Sequence, residues 1–133
     1  MFETEEQKER IILVAVATAD GDDTEQSLDE LEELGQTAGA VTVAKVIQNR
    51  EKVHAGTYVG KGKIEEIKNL AISLDADAVV CDDELSPAQY HNLQDALEIK
   101  VIDRTVMILD IFAKRASTSE GKLQVELAKL RYR

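Results

Sequence analysis

Cysteines, aromatic side chains and long apolar runs are all scarce in this chain of 133 residues. It has no Trp, two Phe and three Tyr, so its core must be mostly aliphatic. Its one cysteine, Cys81, excludes an internal disulfide and fits a reducing compartment. Apolar runs such as 11–17 are too short to cross a bilayer, and the polar, acidic residues 1–10 exclude a signal peptide. We therefore expect a cytoplasmic protein with no membrane partner.

Positive charge is scarce as well, and it is unevenly distributed. The formal net charge is −10, which argues at first against nucleic acid, because phosphate binding requires Lys and Arg. Residues 1–35 carry a net charge of −10 and residues 36–103 carry −4, whereas residues 104–133 carry +4. The last thirty residues thus form a basic arm on an acidic body. The alternative interpretation is an ordinary solvated helical face.

Short apolar segments alternate with helical patterns along the first hundred residues. The strands predicted from Val and Ile content span 10–17, 41–48, 77–82 and 99–103. The first is a continuous apolar run, as in a strand buried on both faces, and the second alternates as an edge strand does. Together they predict an α/β fold: a small, mainly parallel four-stranded sheet flanked by helices.

Two serines are predicted to begin helices. Ser27 with Glu30 matches the capping-box pattern, and so does Ser86 with Gln89, where Pro87 also occupies the first helical position. The segment between them, around Ile64 and Ile67, repeats apolar residues at helical spacing. At a strand end, Asp103 and Arg104 are expected to pair locally or to cap the helix that follows.

The end of the chain is predicted to be helical and incomplete. Two apolar stripes run along residues 123–132, and no Gly or Pro closes that helix. We expect an α/β subdomain over 1–103 and a helical segment over 104–133, the first arm of a truncated helical hairpin. The chain would then be the front part of a longer protein. Alternatively, the unpaired stripe could pack against a second copy and make the chain a dimerising module.

A glycine-rich segment suggests contact with an anion. Gly56 and Gly60 are separated by three residues, and Gly62 occupies the position of the hydroxyl residue, so the Walker pattern fails. Gly60 and Gly62 would still permit close backbone approach at a helix N-terminus, with Lys61 and Lys63 beside it, which suits a phosphate. The alternatives are a solvated turn and a nucleotide-binding α/β domain that uses ATP.

No set of residues predicts catalysis. Asp82, Asp83 and Glu84 could hold a metal or share a proton, but acids before a helix also complement its dipole. Cys81 and His91 lack a third ligand at sensible spacing. With no nucleophile paired to a base, we expect no catalytic residue, no metal and no enzyme activity in this chain.

Seven segments together are typical of one known family. They are SLDEL (27–31), TYVGKGKI (57–64), DDELSPAQ (82–89), VIDRT (101–105), LDIFA (109–113), RA (115–116) and EGKLQVELA (120–128). In these segments the chain resembles the N-terminal domain of the HflX family of translational GTPases. The resemblance implies that a helical hairpin and a Ras-like GTPase domain follow this domain. It further implies binding to the large ribosomal subunit, in ribosome splitting, rescue or biogenesis, notably under stress.

The resemblance also implies which partners and cofactors to expect. GTP and Mg²⁺ would belong to the GTPase domain absent from this chain, so we expect no cofactor here. Some family members are credited with ATP binding by this region, which the resemblance cannot assign to residues. The basic arm would face ribosomal RNA, and the protein's own GTPase domain would be a further partner. The candidate RNA contacts are Lys114, Arg115, Lys122, Lys129, Arg131 and Arg133, with Lys61 and Lys63 second.

Overall fold

Four parallel strands form one sheet in the computed structural model, which describes residues 8–18 and 23–115, with side chains up to Ala113. The strands are β1 (Glu9–Ala17), β2 (Ala40–Asn49), β3 (Ala78–Cys81) and β4 (Lys100–Asp103). Their order in the sheet is β2-β1-β3-β4, and every neighbouring pair is parallel. The predicted α/β fold with a parallel four-stranded sheet is confirmed.

Helices cover both faces of this sheet. They are α1 (Thr24–Thr37), α2 (Lys61–Leu74), α3 (Pro87–Leu97) and α4 (Arg104–Arg115). Ile12 and Val14 of β1 pack in the core under α2 and α3, whereas Ile11 and Leu13 pack in the core under α1 and α4. Because alternate side chains of a strand point to opposite faces, a strand between two helical layers must be apolar throughout. This explains the continuous apolar run.

The edge position predicted for β2 is confirmed, but its side-chain alternation is interrupted. Ile11 pairs with Thr42 and Ile12 pairs with Ala44, so Val43 is an extra residue in a β-bulge. An extra residue reverses which face the following side chains reach. Consequently Ala40 packs under α1 and α4, while Val46 packs on the opposite face of the sheet.

One of the two predicted capping boxes is wrong and the other is confirmed. Helix α1 begins at Thr24, three residues before Ser27, and Asp23 occupies its N-cap position. Ser27 is therefore inside the helix and makes tertiary contacts instead of capping. At α3, Gln89 N–H donates to Ser86 Oγ over 3.1 Å, and Ser86 N–H donates to Gln89 Oε1 over 2.9 Å.

Helix α4 packs on the same sheet as the helices before it. Met107 and Ile111 are buried in the core cluster that contains Leu13. The proposed division of the chain at 103/104 stays a prediction, and the stripes predicted over 123–132 lie outside the described residues. Within the described part of the chain, no helix combines the length and apolar character needed to span a membrane.

Candidate functional site

Polar side chains gather at the edge of the sheet where the parallel strands end, which we call the carboxyl edge. Ligands of open α/β sheets usually bind beyond this edge, so the side chains there are candidates for ligand contact. The residues at or just after the strand ends are Gln48, Arg50, Asp82, Asp83, Asp103 and Arg104.

Ser27, Asp82 and Arg104 form a closed hydrogen-bonded network that joins α1, β3 and α4. Arg104 Nη2 lies 2.6 Å from Asp82 Oδ1, and it also donates to Ser27 Oγ over 3.0 Å. Ser27 Oγ in turn donates to Asp82 Oδ2 over 2.7 Å. The Asp82 side chain is only 9% exposed, so these partners replace water around a nearly buried charge.

Asp103 joins the end of β4 to the loop before α3 and to the first turn of α4. Its carboxylate is buried and accepts the N–H of Leu85 over 2.9 Å and the N–H of Val106 over 3.0 Å. The second bond caps the first turn of α4, so the capping role expected for Asp103 is confirmed. Arg104 does not pair with Asp103 but with Asp82, which follows the neighbouring strand β3.

Tyr58 anchors the loop between β2 and α2. Its buried hydroxyl donates to Asp83 Oδ2 over 2.7 Å, and its backbone has φ 68°. Burial, followed by the hydrogen bond to Asp83, raises the pKa of the Tyr58 phenol. Burial, with smaller contributions from nearby carboxylates, also raises the pKa of the Cys81 thiol, which disfavours a reactive thiolate.

The hydrogen bonds of Asp82 and Asp83 favour a structural role over the metal or acid–base chemistry considered for residues 82–84. Asp82 and Asp83 each accept hydrogen bonds from protein donors, in two separate networks. Across residues 8–18 and 23–115, no three His, Cys, Asp or Glu side chains are grouped to hold a metal. The two carboxylates therefore have structural roles that account for their positions.

The same loop is fastened to α3. Gln89 Nε2 donates to the carbonyl of His54 over 2.9 Å, and Asn92 Nδ2 donates to the carbonyl of Gly56 over 2.9 Å. The Nδ1 atom of His54 accepts the N–H groups of Gly56 and Thr57 over 3.1 and 3.2 Å. His54 therefore holds the turn, and the loop delivers Gly60 to the start of α2 in a fixed position.

Gly60 lies beneath two side chains that extend from the end of β2. Its N–H donates to Gln48 Oε1 over 2.8 Å, and a Cβ built on it would lie 2.9 Å from Arg50 Nη1. Only glycine allows this approach without displacing the guanidinium. A Cβ on Gly62 would meet nothing within 4 Å, so no close approach occurs there.

Cationic side chains surround the N-terminus of α2. Lys61 is exposed, Arg50 lies over Gly60, and Lys63 forms an ion pair with Glu66 over 3.0 Å. The first turn of α2 contains no acid, and neither Arg50 nor Lys61 makes an ion pair with a described residue. Because a helix N-terminus is the positive end of the helix dipole, this arrangement favours an anion.

Of the residues predicted to contact RNA through the basic arm, the structure describes only the backbone of two. Lys114 and Arg115 are in the last turn of α4, but their side chains lie outside the description. Lys122, Lys129, Arg131 and Arg133 also lie outside the described residues. Sequence reasoning missed Gln48 and Arg50 as partners of Gly60. The available signal was their place at the end of a predicted strand, where parallel sheets present functional side chains.

Comparison with known proteins finds similarity over nearly the whole chain. Residues 25–113 match the sequence model of the family described as GTP-binding GTPase N-terminal. The GTPase HflX of Lacrimispora saccharolytica is 67% identical over 133 residues, which are 100% of this chain and 31% of that protein. The GTPase HflX of Escherichia coli is 43% identical over 132 residues, 99% of this chain and 31% of that protein. The chain thus spans about 31% of the length of these curated relatives.

Solved structures share the fold at lower sequence identity. A GTP-binding protein from the hyperthermophilic archaeon Sulfolobus solfataricus, crystallised with GDP, superposes with a TM-score of 0.60 at 22% identity. The match covers 91% of this chain and 36% of that one. It supports the α/β architecture and carries no statement about ligands.

Proposed function

The chain belongs to the GTP-binding GTPase N-terminal family and corresponds to the N-terminal domain of HflX GTPases, and on this premise we propose that it docks a GTPase onto the large ribosomal subunit. In this proposal the domain does not itself hydrolyse GTP. GTP and Mg²⁺ bind to the part of the relatives that this chain does not span. The whole protein then acts in the cytoplasm, in ribosome splitting, rescue or biogenesis, notably under stress.

The observation that carries the proposal is the cluster of Arg50, Lys61 and Lys63 around the N-terminus of α2. It concentrates positive charge in a chain whose net charge is −10. Meanwhile Asp82 and Asp103 at the same edge are engaged in internal hydrogen bonds. A local cationic surface on an acidic protein suits backbone phosphates of ribosomal RNA, which are bound without reading sequence.

The proposed contact is one backbone phosphate at the start of α2, continued by the basic arm. Within the described residues, the guanidinium of Arg50 and the amine of Lys61 form no ion pair, and the guanidinium donates only through Nε, to the carbonyl of Lys52 over 3.1 Å. Lys114, Arg115, Lys122, Lys129, Arg131 and Arg133 would extend the contact along the RNA. Each such contact contributes modestly and weakens with salt, so binding depends on several acting together.

Co-sedimentation with purified large ribosomal subunits tests this proposal. We expect the double reversal Lys61→Glu and Lys63→Glu to weaken binding at least tenfold, with a reduced dependence on salt. The matched control is Lys8→Glu with Lys100→Glu, the same change of charge beside the amino ends of β1 and β4. Reversal of Lys122 and Lys129 tests the arm separately. Equal sedimentation of all these variants at several salt concentrations would remove the proposed surface.

A second candidate function is nucleotide binding at Gly60–Lys63, favoured by the absence of an acid in the first turn of α2. It lacks the Walker pattern, and the N–H of Gly60 already donates to Gln48. Titration with ATP, GTP and inorganic phosphate, followed by amide chemical shifts, separates the cases. Shifts at residues 60–63 with ATP but not with phosphate would favour nucleotide binding.

Self-association of the chain remains a third proposal, for which the apolar stripes over 123–132 would supply the surface. Light scattering over a range of protein concentrations tests it. A mass that rises with concentration supports a dimer, and a constant monomer mass removes this proposal.

A further inference from the structure

A groove of about 390 Å³ opens at the amino edge of the sheet, where the strands begin. It lies between the C-terminal turns of α2 and α3, and we call it the amino-edge groove. Ala71, Ala76 and Leu97 contribute to its apolar lining, and Lys68, Asp75 and Glu98 bring charge to it. Its volume is at the lower end of the range for small-ligand pockets, about 300–1,000 Å³, so it suits side chains more than a whole helix.

Both helices that border the groove end in an acidic residue in the left-handed conformation. Asp75 has φ 57° and Glu98 has φ 60°, and each occupies the C-cap position of its helix. Glycine is the usual residue there, because a side chain is strained in that conformation. An acid is doubly unfavourable, since its charge also opposes the negative end of the helix dipole. At two positions on one groove, local stability is lower than glycine would allow.

Cations of the described chain neutralise only part of the negative charge around the groove. Neither helix has a basic residue in its last turn. Arg10 donates to the carbonyl of Leu74 over 3.0 and 2.8 Å, which satisfies one carbonyl of α2. Lys68 pairs with Glu98 over 3.2 Å, but Asp75 forms no ion pair with a described residue. Asp75 is therefore the one acidic side chain of the groove lining that no described cation pairs with.

An exposed apolar side chain stands beside these acids. Ile72, which also lines the groove, is 73% exposed, the most exposed of the large hydrophobic side chains among the described residues. Asp75, the C-cap residue that follows the end of α2, lines the same groove. The groove thus offers both an apolar contact and an unpaired carboxylate.

We propose that the amino-edge groove binds an arginine or lysine side chain of a basic partner protein, whose apolar neighbour packs on Ile72. Asp75 selects this occupant: a cationic head meets the unpaired carboxylate of Asp75 near the C-terminus of α3, while its aliphatic stem crosses Ala71 and Leu97. The inference does not depend on the RNA contact, because the groove is at the opposite edge of the sheet from Lys61.

The probe is the peptide acetyl-Gly-Leu-Arg-Leu-Gly-amide, titrated against the protein and followed by backbone amide chemical shifts. We expect roughly millimolar binding, with the largest shifts at Ile72, Asp75 and Glu98. The matched peptide carries citrulline in place of arginine, which preserves shape and removes charge. It should bind at least roughly threefold more weakly.

Three exposed positions supply the variants, so the fold is retained. Asp75→Asn keeps a residue that tolerates the left-handed conformation, and it should weaken the arginine peptide roughly threefold. Ile72→Ala should weaken both peptides. Glu65→Gln, on the first half of α2 and about 15 Å along the helix, removes the same charge and should leave binding unchanged.

Several outcomes would overturn the proposal. The absence of shifts at the groove with millimolar arginine peptide is one, and equal binding of the citrulline peptide is another. Shifts confined to the acidic face of α1 would indicate non-specific attraction. Shifts at Ile72 that grow with protein concentration alone would identify a second copy of the chain as the occupant.

Discussion

Acidic residues are more fully engaged in internal contacts at the carboxyl edge of the sheet than at its amino edge. At the carboxyl edge, Asp82, Asp83 and Asp103 each accept hydrogen bonds from defined donors, so their charges hold elements together. At the amino edge, Asp77 accepts the N–H of Arg10 over 2.8 Å, but Asp75 and Glu98 occupy strained helix ends beside the groove. Ligands of α/β sheets usually bind at the carboxyl edge, but the carboxylates at this edge have structural roles here. In our two proposals, cations bind the partner at the carboxyl edge and the carboxylate of Asp75 binds a partner at the amino edge.

The sharpest test of this contrast is Asp103→Ala. It leaves the buried N–H of Leu85 and the partly buried N–H of Val106 without their acceptor and removes the cap of α4. We expect the free energy of unfolding to fall by about 3 kcal/mol, measured by urea denaturation. Asp103→Asn retains one acceptor oxygen and should lose about half as much. A loss under about 1 kcal/mol for the alanine variant would mean that the carboxyl edge is not held this way.

A smaller loss is expected from Ser27→Ala, which opens the network that joins α1, β3 and α4. Asp82 loses a donor and Arg104 loses an acceptor, both in a partly buried site. The expected cost is about 2 kcal/mol in urea denaturation. Ser73→Ala is the control, because Ser73 is exposed on α2 and should tolerate alanine. Equal stability of both variants would show that the network adds nothing.

Tyr58→Phe should cost about 1 kcal/mol, since Asp83 is exposed and water can replace the lost hydroxyl. The same substitution should also change how the stability of the protein depends on pH. The raised pKa of Tyr58 means that the folded state holds its proton more tightly than the unfolded state does. The contribution of the Tyr58 phenol to the free energy of unfolding is therefore complete below the unfolded pKa of about 10, and it declines as the pH rises above that value. Between pH 8 and 11, the free energy of unfolding should fall less steeply with pH in Tyr58→Phe than in the unsubstituted protein. If the two curves of free energy against pH are parallel, the raised pKa of Tyr58 is wrong.

At the amino edge the expected change is the smallest and has the opposite sign. Glu98→Gly relieves the left-handed strain and removes a charge from a helix C-terminus, at the loss of an exposed ion pair with Lys68. We expect a gain of about 0.5 kcal/mol in thermal or urea denaturation. Asp95→Gly, inside α3, should instead lose about 1 kcal/mol. If Glu98→Gly also destabilised the protein, the claim that Glu98 lowers local stability would fail.

Much of the architecture follows from local patterns in the sequence. The apolar run 11–17 predicts a strand buried on both faces, and Ser86 with Pro87 and Gln89 defines the start of α3. Ser27 shows the limit of such patterns. Its capping-box spacing is real, but its hydroxyl bonds to Asp82 and Arg104, which are distant in sequence. A local motif cannot reveal a competing tertiary partner.

The candidate site was only partly predictable for the same reason. The glycines and lysines at 60–63 are visible as a motif, whereas the cover of Gly60 by Gln48 and Arg50 depends on where β2 ends. The bulge at Val43 likewise depends on strand pairing. The left-handed residues at the ends of α2 and α3 are Asp75 and Glu98, not glycines, so the sequence does not indicate this conformation. Each of these features arises from tertiary packing and not from local propensity.

The docking account is tested most directly by amide hydrogen exchange of the protein with and without large ribosomal subunits. We expect slower exchange at residues 60–64, where α2 begins beside Arg50, and unchanged exchange at 72–76, where α2 ends. Protection confined to residues 72–76, or no protection at either end of α2, would contradict the proposal that the carboxyl edge carries the RNA contact.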